Sequence, residues 1–157
     1  MRNSLLSGLA VIGAALASVS AAEARVDVGV LRCTVDGGVG YLVGSRKSMR
    51  CTFTHRYGPP QYYQGQVTKI GVDIGFTRRT EIVWAVLAPT REVASRVLDG
   101  RYGGVSAEAT IGGGIGANAL IGGSSRSVVL QPLSVQAQTG LNIAAGIAGL
   151  TLRASGR

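Results

Sequence analysis

"ATIGGGIGANALIGG", residues Ala109 to Gly123, admits two readings, and the choice between them sets the fold class. Its centre, Gly114-Ile115-Gly116-Ala117-Asn118-Ala119, spells G-x-G-x-x-A, the turn that opens a dinucleotide-binding α/β unit. Such a turn needs a strand before it and a helix of several turns after it. It also needs an acid about 20 residues further on to hold the ribose. The strand fits, but the helix fails. Gly122-Gly123 arrives within one turn, and each glycine in a helix interior costs about 1 kcal/mol. The acid fails as well, because no Asp or Glu follows Glu108. The glycine is then structural, letting strands bulge or approach where side chains would collide. No cofactor is expected, and the C-terminal third reads as sheet.

Upstream of this run the chain reads as strands and turns. "VDVGVLRCTV" (Val26 to Val35) is rich in β-branched residues and ends on the turn signal Asp36-Gly37-Gly38. "VGYLV", the basic turn "GSRKSM" and "RCTFTH" follow as a meander. "RYGPPQYYQG" (Arg56 to Gly65) reads as a loop on its two prolines. "QVTKIGVDIGF" alternates, with Thr68, Ile70, Val72, Ile74 and Phe76 expected inward and Val67, Lys69 and Asp73 outward. "TRRT" should turn it into a hairpin with "EIVWAVLA", which is apolar on both faces and so central. Thr90 as N-cap, the spacing of Val93, Val97 and Leu98, and Gly100 at the C-terminal position predict one short helix over about 90–99. "YGGVSAEATIG", "GIGANALIG", "SRSVVLQPLSVQAQ" and "GLNIAAGIAGLTL" read as the remaining strands. The expected fold is mainly β, an antiparallel sheet of sandwich or barrel-like form with that one helix.

The chain's start reads as an address. A short basic beginning, an apolar run from Leu5 to Ala17 and the small-x-small triplet Ala22-Glu23-Ala24 predict a signal peptide over 1–24. The run is shorter than the roughly 20 residues a membrane span needs, and no second such run follows. Arg25 occupies the position where a lipoprotein would carry cysteine. The remaining 133 of the 157 residues, 25–157, suit a single exported domain, periplasmic or extracellular. In that compartment Cys33 and Cys51, the two cysteines of the chain, are expected to form a disulfide.

Charge supplies the candidate sites. The net charge is +8, and all basic residues but Lys47 and Lys69 are arginine, which suits planar contact with phosphate or carboxylate. Arg46, Lys47 and Arg50 fall in one expected turn, Arg78 and Arg79 in another, Arg126 in a third. Together they make a candidate surface for anionic lipid, lipopolysaccharide or another envelope polyanion. Nucleic acid also fits the charge, but no recognition motif accompanies it. Metal ligation and catalysis find little footing. The chain has a single histidine, His55, and lacks a G-x-S-x-G elbow. Glu81 and Glu108 read as solvated carboxylates in strands.

Two resemblances add to this reading. "VGVLRCTVDGGVGYLVGS", "GVDIGFT", "VWAVLAPT", "GVSAEATIGGGIGANAL" and "LQPLSVQAQTGLNIAAGIAGLTL" resemble a family of small exported alphaproteobacterial proteins, the domain of unknown function 992. That resemblance covers nearly the whole mature chain. It implies export and one domain, and transfers no activity and no site residue. The order "EIVWAVLAPT", "EVASRVLDG", "GGVSAEATIGGGIG" is similar in pattern to the SYLF lipid-binding module over about 60 residues from Thr80, though the aromatic continuation of that module is missing. It implies lipid binding. The expectation is a non-catalytic binding or structural module of the cell envelope. The alternative is a small periplasmic enzyme with a cleft around His55.

Overall fold

Alternation along Val26–Val35, the first strand (β1), shows how the core is made. Val28 is buried, and so are Leu31, Cys33 and Val35, while Arg32 is exposed. The buried set changes from even to odd positions at Gly29, where the pairing with the fourth strand shifts register. Gly29 has φ +153°, and a Cβ there would meet the Thr54 carbonyl oxygen at 2.2 Å, so this bulge needs glycine.

The computed structural model describes residues 24–35, 46–70, 80–104, 118–133 and 147–156. The expected leader up to residue 23, "VGYLV", Asp73, Arg78, Arg79, Glu108 and most of the glycine run lie outside these residues. Seven further strands follow β1: β2 (Lys47–His55), β3 (Gln61–Ile70), β4 (Thr80–Ala88), β5 (Gly100–Gly104), β6 (Leu120–Gly122), β7 (Val128–Pro132) and β8 (Ile147–Ala154). All pairings are antiparallel, and they close a barrel in the order β1-β2-β3-β8-β5-β6-β7-β4. An eight-stranded barrel has an interior just wide enough for side chains to fill. Here Trp84, Tyr63, Phe53, Leu31, Met49 and Leu150 fill it. Cys33 and Cys51 sit directly opposite each other on β1 and β2, Cα atoms 4.0 Å apart, and form the expected disulfide inside the barrel.

The mainly β, antiparallel reading and the disulfide hold, and several local expectations do not. β1 and β2 are direct neighbours, so no intervening strand separates the cysteines. β2 begins at Lys47, which places Lys47 and Arg50 in a strand rather than a turn. The loop after β2 stops at Pro60, and Gln61–Gly65 already belongs to β3. β4 does not form a hairpin with β3. It lies between β1 and β7, and β3 lies between β2 and β8. Its central place was legible, since its residues are apolar on both faces, but its partners are set by distant chain. Val67 points into the core rather than outward. The pairing with β8 shifts register on both sides of Lys69, and the expected alternation over 71–76 lies outside the described residues.

The expected helix at 90–99 is replaced by turns. Arg96 adopts φ 66°, a left-handed conformation that no helix interior holds, and turn bonds run from Val97 N–H to Ala94 and from Asp99 N–H to Arg96. Tertiary contacts outweigh helix propensity here. Leu98 is sunk in the core, its N–H donating to the Tyr63 hydroxyl at 3.4 Å and its carbonyl accepting from the Tyr102 hydroxyl at 2.8 Å. The Asp99 carboxylate accepts from the Ala154 N–H and from Arg96 Nε, tying the segment to the end of β8. The last part of the glycine run makes the short β6. At Gly122 a Cβ would stand 2.0 Å from the Arg101 carbonyl oxygen, so this glycine serves close strand approach.

Candidate ligand-binding groove

Because side chains alternate along each strand, the residues between the core positions form the barrel's outer wall. On β2, β3, β8 and β5 they align in cross-strand rows. One row runs Thr34–Arg50–Gln64–Arg153 across β1, β2, β3 and β8. The next runs Ser48–Gln66–Thr151–Arg101 across β2, β3, β8 and β5. Arg32, Thr52 and Tyr62 form a third on the other side.

These rows line two adjoining hollows. The larger, about 820 Å³, is lined by the outward side chains of Arg46, Ser48, Arg50, Gln64, Gln66 and Arg101, with Thr151 and Arg153 beyond them. Its floor includes Gly65 and the core residues Met49, Tyr102 and Leu150. The smaller, about 560 Å³, shares Arg50 and Gln64 and continues over Arg32, Thr52 and Tyr62 to Ser155 and Gly156. No carboxylate stands among the described residues of either lining.

The arginines of the molecule divide by their partners. Arg32 pairs with Glu81, Arg56 with Asp27, and Arg96 with Asp99. The Arg56 guanidinium, through its side-chain hydrogen bond, holds the Asp27 carboxyl below its ordinary range. Arg25 donates to the Ser127 carbonyl at 2.5 Å, and Arg91 lies over the Tyr57 ring, 5.7 Å from its centre. Arg46, Arg101 and Arg153, all in the groove, have no carboxylate partner among the described residues.

Of the residues expected to bind an anionic surface, Arg46 and Arg50 lie in this groove. Lys47 stands opposite the core residue Val67, half-buried and partnered, outside the described lining. Arg126 is exposed in a single 3-10 turn between β6 and β7, away from the groove lining. Arg78 and Arg79 lie outside the described residues. Sequence reasoning missed Arg101, Arg153, Gln64 and Gln66 as partners of Arg50. The period-two pattern of "GLTLRA" and "QYYQGQ" carried the signal, since it puts Thr151 and Arg153, and Gln64 and Gln66, on outward positions.

His55 ends β2 between the rings of Phe53 and Tyr57, centroids 5.5 and 5.9 Å away, with Gly58 against its Nδ1 side. Its Nε2 is buried and has no hydrogen-bond partner among the described residues. The carboxylate on the adjoining strand, Asp27, is engaged by Arg56 and the Gly29 N–H. The general-base arrangement expected of a catalytic histidine, with an orienting carboxylate bonded to the ring, is not formed among the described residues.

Fold and groove define a class: a small disulfide-stapled β-barrel with a filled apolar interior and an arginine-bearing outer wall. The chain belongs to the family described as "Protein of unknown function (DUF992)", whose model matches residues 12–153. No curated protein and no solved structure matches it.

Proposed function

We propose that this chain is an exported, non-catalytic binding module of the cell envelope that holds an anionic lipid or glycan against its outer wall. The observation that carries the reading is the groove, where Arg46, Arg101 and Arg153 stand without carboxylate partners in a lining free of described acids. Arg32, in the adjoining smaller hollow, is paired with Glu81, and outside both hollows Arg56 and Arg96 are paired with Asp27 and Asp99. Arginines left without counter-charge in a hollow raise the local concentration of anions and suit bidentate contact with carboxylate or phosphate. The Cys33–Cys51 bond supports the exported address, because such bonds persist in oxidising compartments. The signal-like start of the sequence supports it independently.

The test is retention of the oxidised mature protein on three anionic supports: phosphatidylglycerol vesicles, lipopolysaccharide and a polyuronate matrix. Each is run at low and at physiological salt, beside a neutral support. Retention on at least one anionic support, weakened by salt and reduced in Arg101→Ala/Arg153→Ala, is the expected result. Equal retention on neutral and anionic supports, or none on any, would sink the reading.

A further inference from the structure

Resting on that reading, we infer that the ligand is an extended anionic polysaccharide strand, laid across β1, β2, β3, β8 and β5, rather than a membrane surface. The register puts four arginines on one diagonal. Arg50 and Arg153 share a row with one strand between them, which sets them about 10 Å apart at the backbone. Arg101 lies one strand past Arg153 and one row over, and Arg32 one strand past Arg50 and one row over in the opposite sense. Each of those steps is about 8 Å, so the line measures on the order of 25 Å along the curved wall, half-way round the ring, and its Arg32 end is shared with Glu81. Arg46, just before β2, flanks it.

What lies between the arginines selects among anions. Gln64, Gln66, Ser48, Thr52 and Thr151 fill the intervals with amides and hydroxyls. These groups donate and accept hydrogen bonds, as sugar hydroxyls do, and a guanidinium fork takes a carboxylate edge-on. Tyr62, 40% exposed on β3 and one row to the side of Arg50 and Arg153, offers a ring face of the kind on which an apolar sugar face packs. A bilayer contact calls for a protruding surface with apolar side chains entering the acyl boundary. The groove is recessed, and Tyr62 is the one exposed large apolar side chain among its described lining residues. Charges spaced along a hollow match charges spaced along a polymer.

The experiment is calorimetric titration of the oxidised mature protein with oligogalacturonates of increasing length. A neutral oligoglucan and phosphatidylglycerol vesicles are titrated in parallel, and Trp84 emission confirms folding of each variant. Affinity should climb with oligomer length until the oligomer covers the arginine line and then level off. Arg101→Ala/Arg153→Ala should weaken the longest oligomer at least tenfold, with Arg126→Ala as the unaffected control. Gln64→Ala/Gln66→Ala, which leaves every charge in place, should weaken it several-fold. Affinity independent of length, or equal losses in the Arg126 control and the groove variant, would overturn the inference. Binding to vesicles alone would overturn the glycan assignment while leaving the anionic-surface reading standing. Binding to none of these probes, nor to lipopolysaccharide, would remove both.

Discussion

The two sides of the barrel share one core and present opposite outer walls. Across β2, β3, β8 and β5 the outward positions are Arg50, Gln64, Gln66, Thr151, Arg153 and Arg101. Across β4, β7 and β6 they are Val83, Ala85, Leu87, Val129 and Ile121, with Glu81 and Gln131 as the polar members. There Val129 is fully buried, and with Ala119 it forms a second small apolar cluster against Leu87 and Ile121. Inward residues on both sides belong to the same large core cluster. Burial on the inner face therefore fixes the fold, and the outer face is where the sides were free to diverge. The arginine wall also runs opposite to a bilayer-spanning barrel, where each outward arginine at the midplane would cost roughly 2–4 kcal/mol.

The sharpest way to break the contrast is to give the apolar wall the polar wall's residue. Val129→Arg buries an unpaired charge and should cost about 4 kcal/mol or more in chemical denaturation, enough to lose cooperative folding. The reciprocal Arg153→Ala, on an exposed position, should leave the same denaturation midpoint within about 0.5 kcal/mol. A large loss there would mean that the groove arginines are structural.

Next in size is the staple. Cys33→Ala/Cys51→Ala opens a link spanning 18 residues of sequence and should lower stability by about 3 kcal/mol, read from the shift in denaturant midpoint. Since both cysteines are inward, groove binding by the folded fraction should be unchanged.

A comparable loss is expected on the alkaline side. Burial pushes the Tyr63 phenol up to about 12, and burial likewise raises Tyr102. A raised folded value favours the neutral form, so the stabilisation is complete below pH 10 and is lost as pH rises from there to about 12. For Tyr63 this amounts to about 2 kcal/mol. Phenolate absorbance from this pair should appear together with loss of near-ultraviolet circular dichroism. Its appearance in a still-folded protein would contradict the packing of Leu98 between them.

The smallest effect belongs to the Asp27–Arg56 pair. Its carboxyl is held below the ordinary 3.8, so its contribution is present above that pH and disappears as pH falls through the lowered value. Exposed to solvent, the pair should contribute little to stability. Arg56→Gln should therefore shift the acid limb of a stability profile slightly and leave the groove untouched.

What the sequence disclosed follows from how local each feature is. Period-two burial in Val26–Val35 and the two-faced apolarity of β4 are local, and both were legible. The pairing of Cys33 with Cys51 needed only the count of cysteines. Pairing of β4 with β1 and β7 rather than β3 joins distant segments, and no local pattern carries that. The turns at Ala94–Asp99 went unread because Tyr63 and Tyr102, remote in sequence or beyond the predicted helix, claim the backbone of Leu98. The groove is the same case. Arg46 and Arg50 were marked by charge, but only register brings Arg153 and Arg101 beside them.

Closure of the barrel restricts how anything else can attach to it. An open sheet offers an edge whose unpaired N–H and C=O groups can recruit a strand from a ligand, a partner or another copy. In this ring every strand has a neighbour on each side, from β1 round to β4. Strand addition, and the sheet-to-sheet polymerisation that open edges invite, would first require a seam to part. The three-residue β6 is the shortest place for that. Recognition while the ring is intact falls to side chains alone, so it can be retuned residue by residue without redrawing a single backbone hydrogen bond.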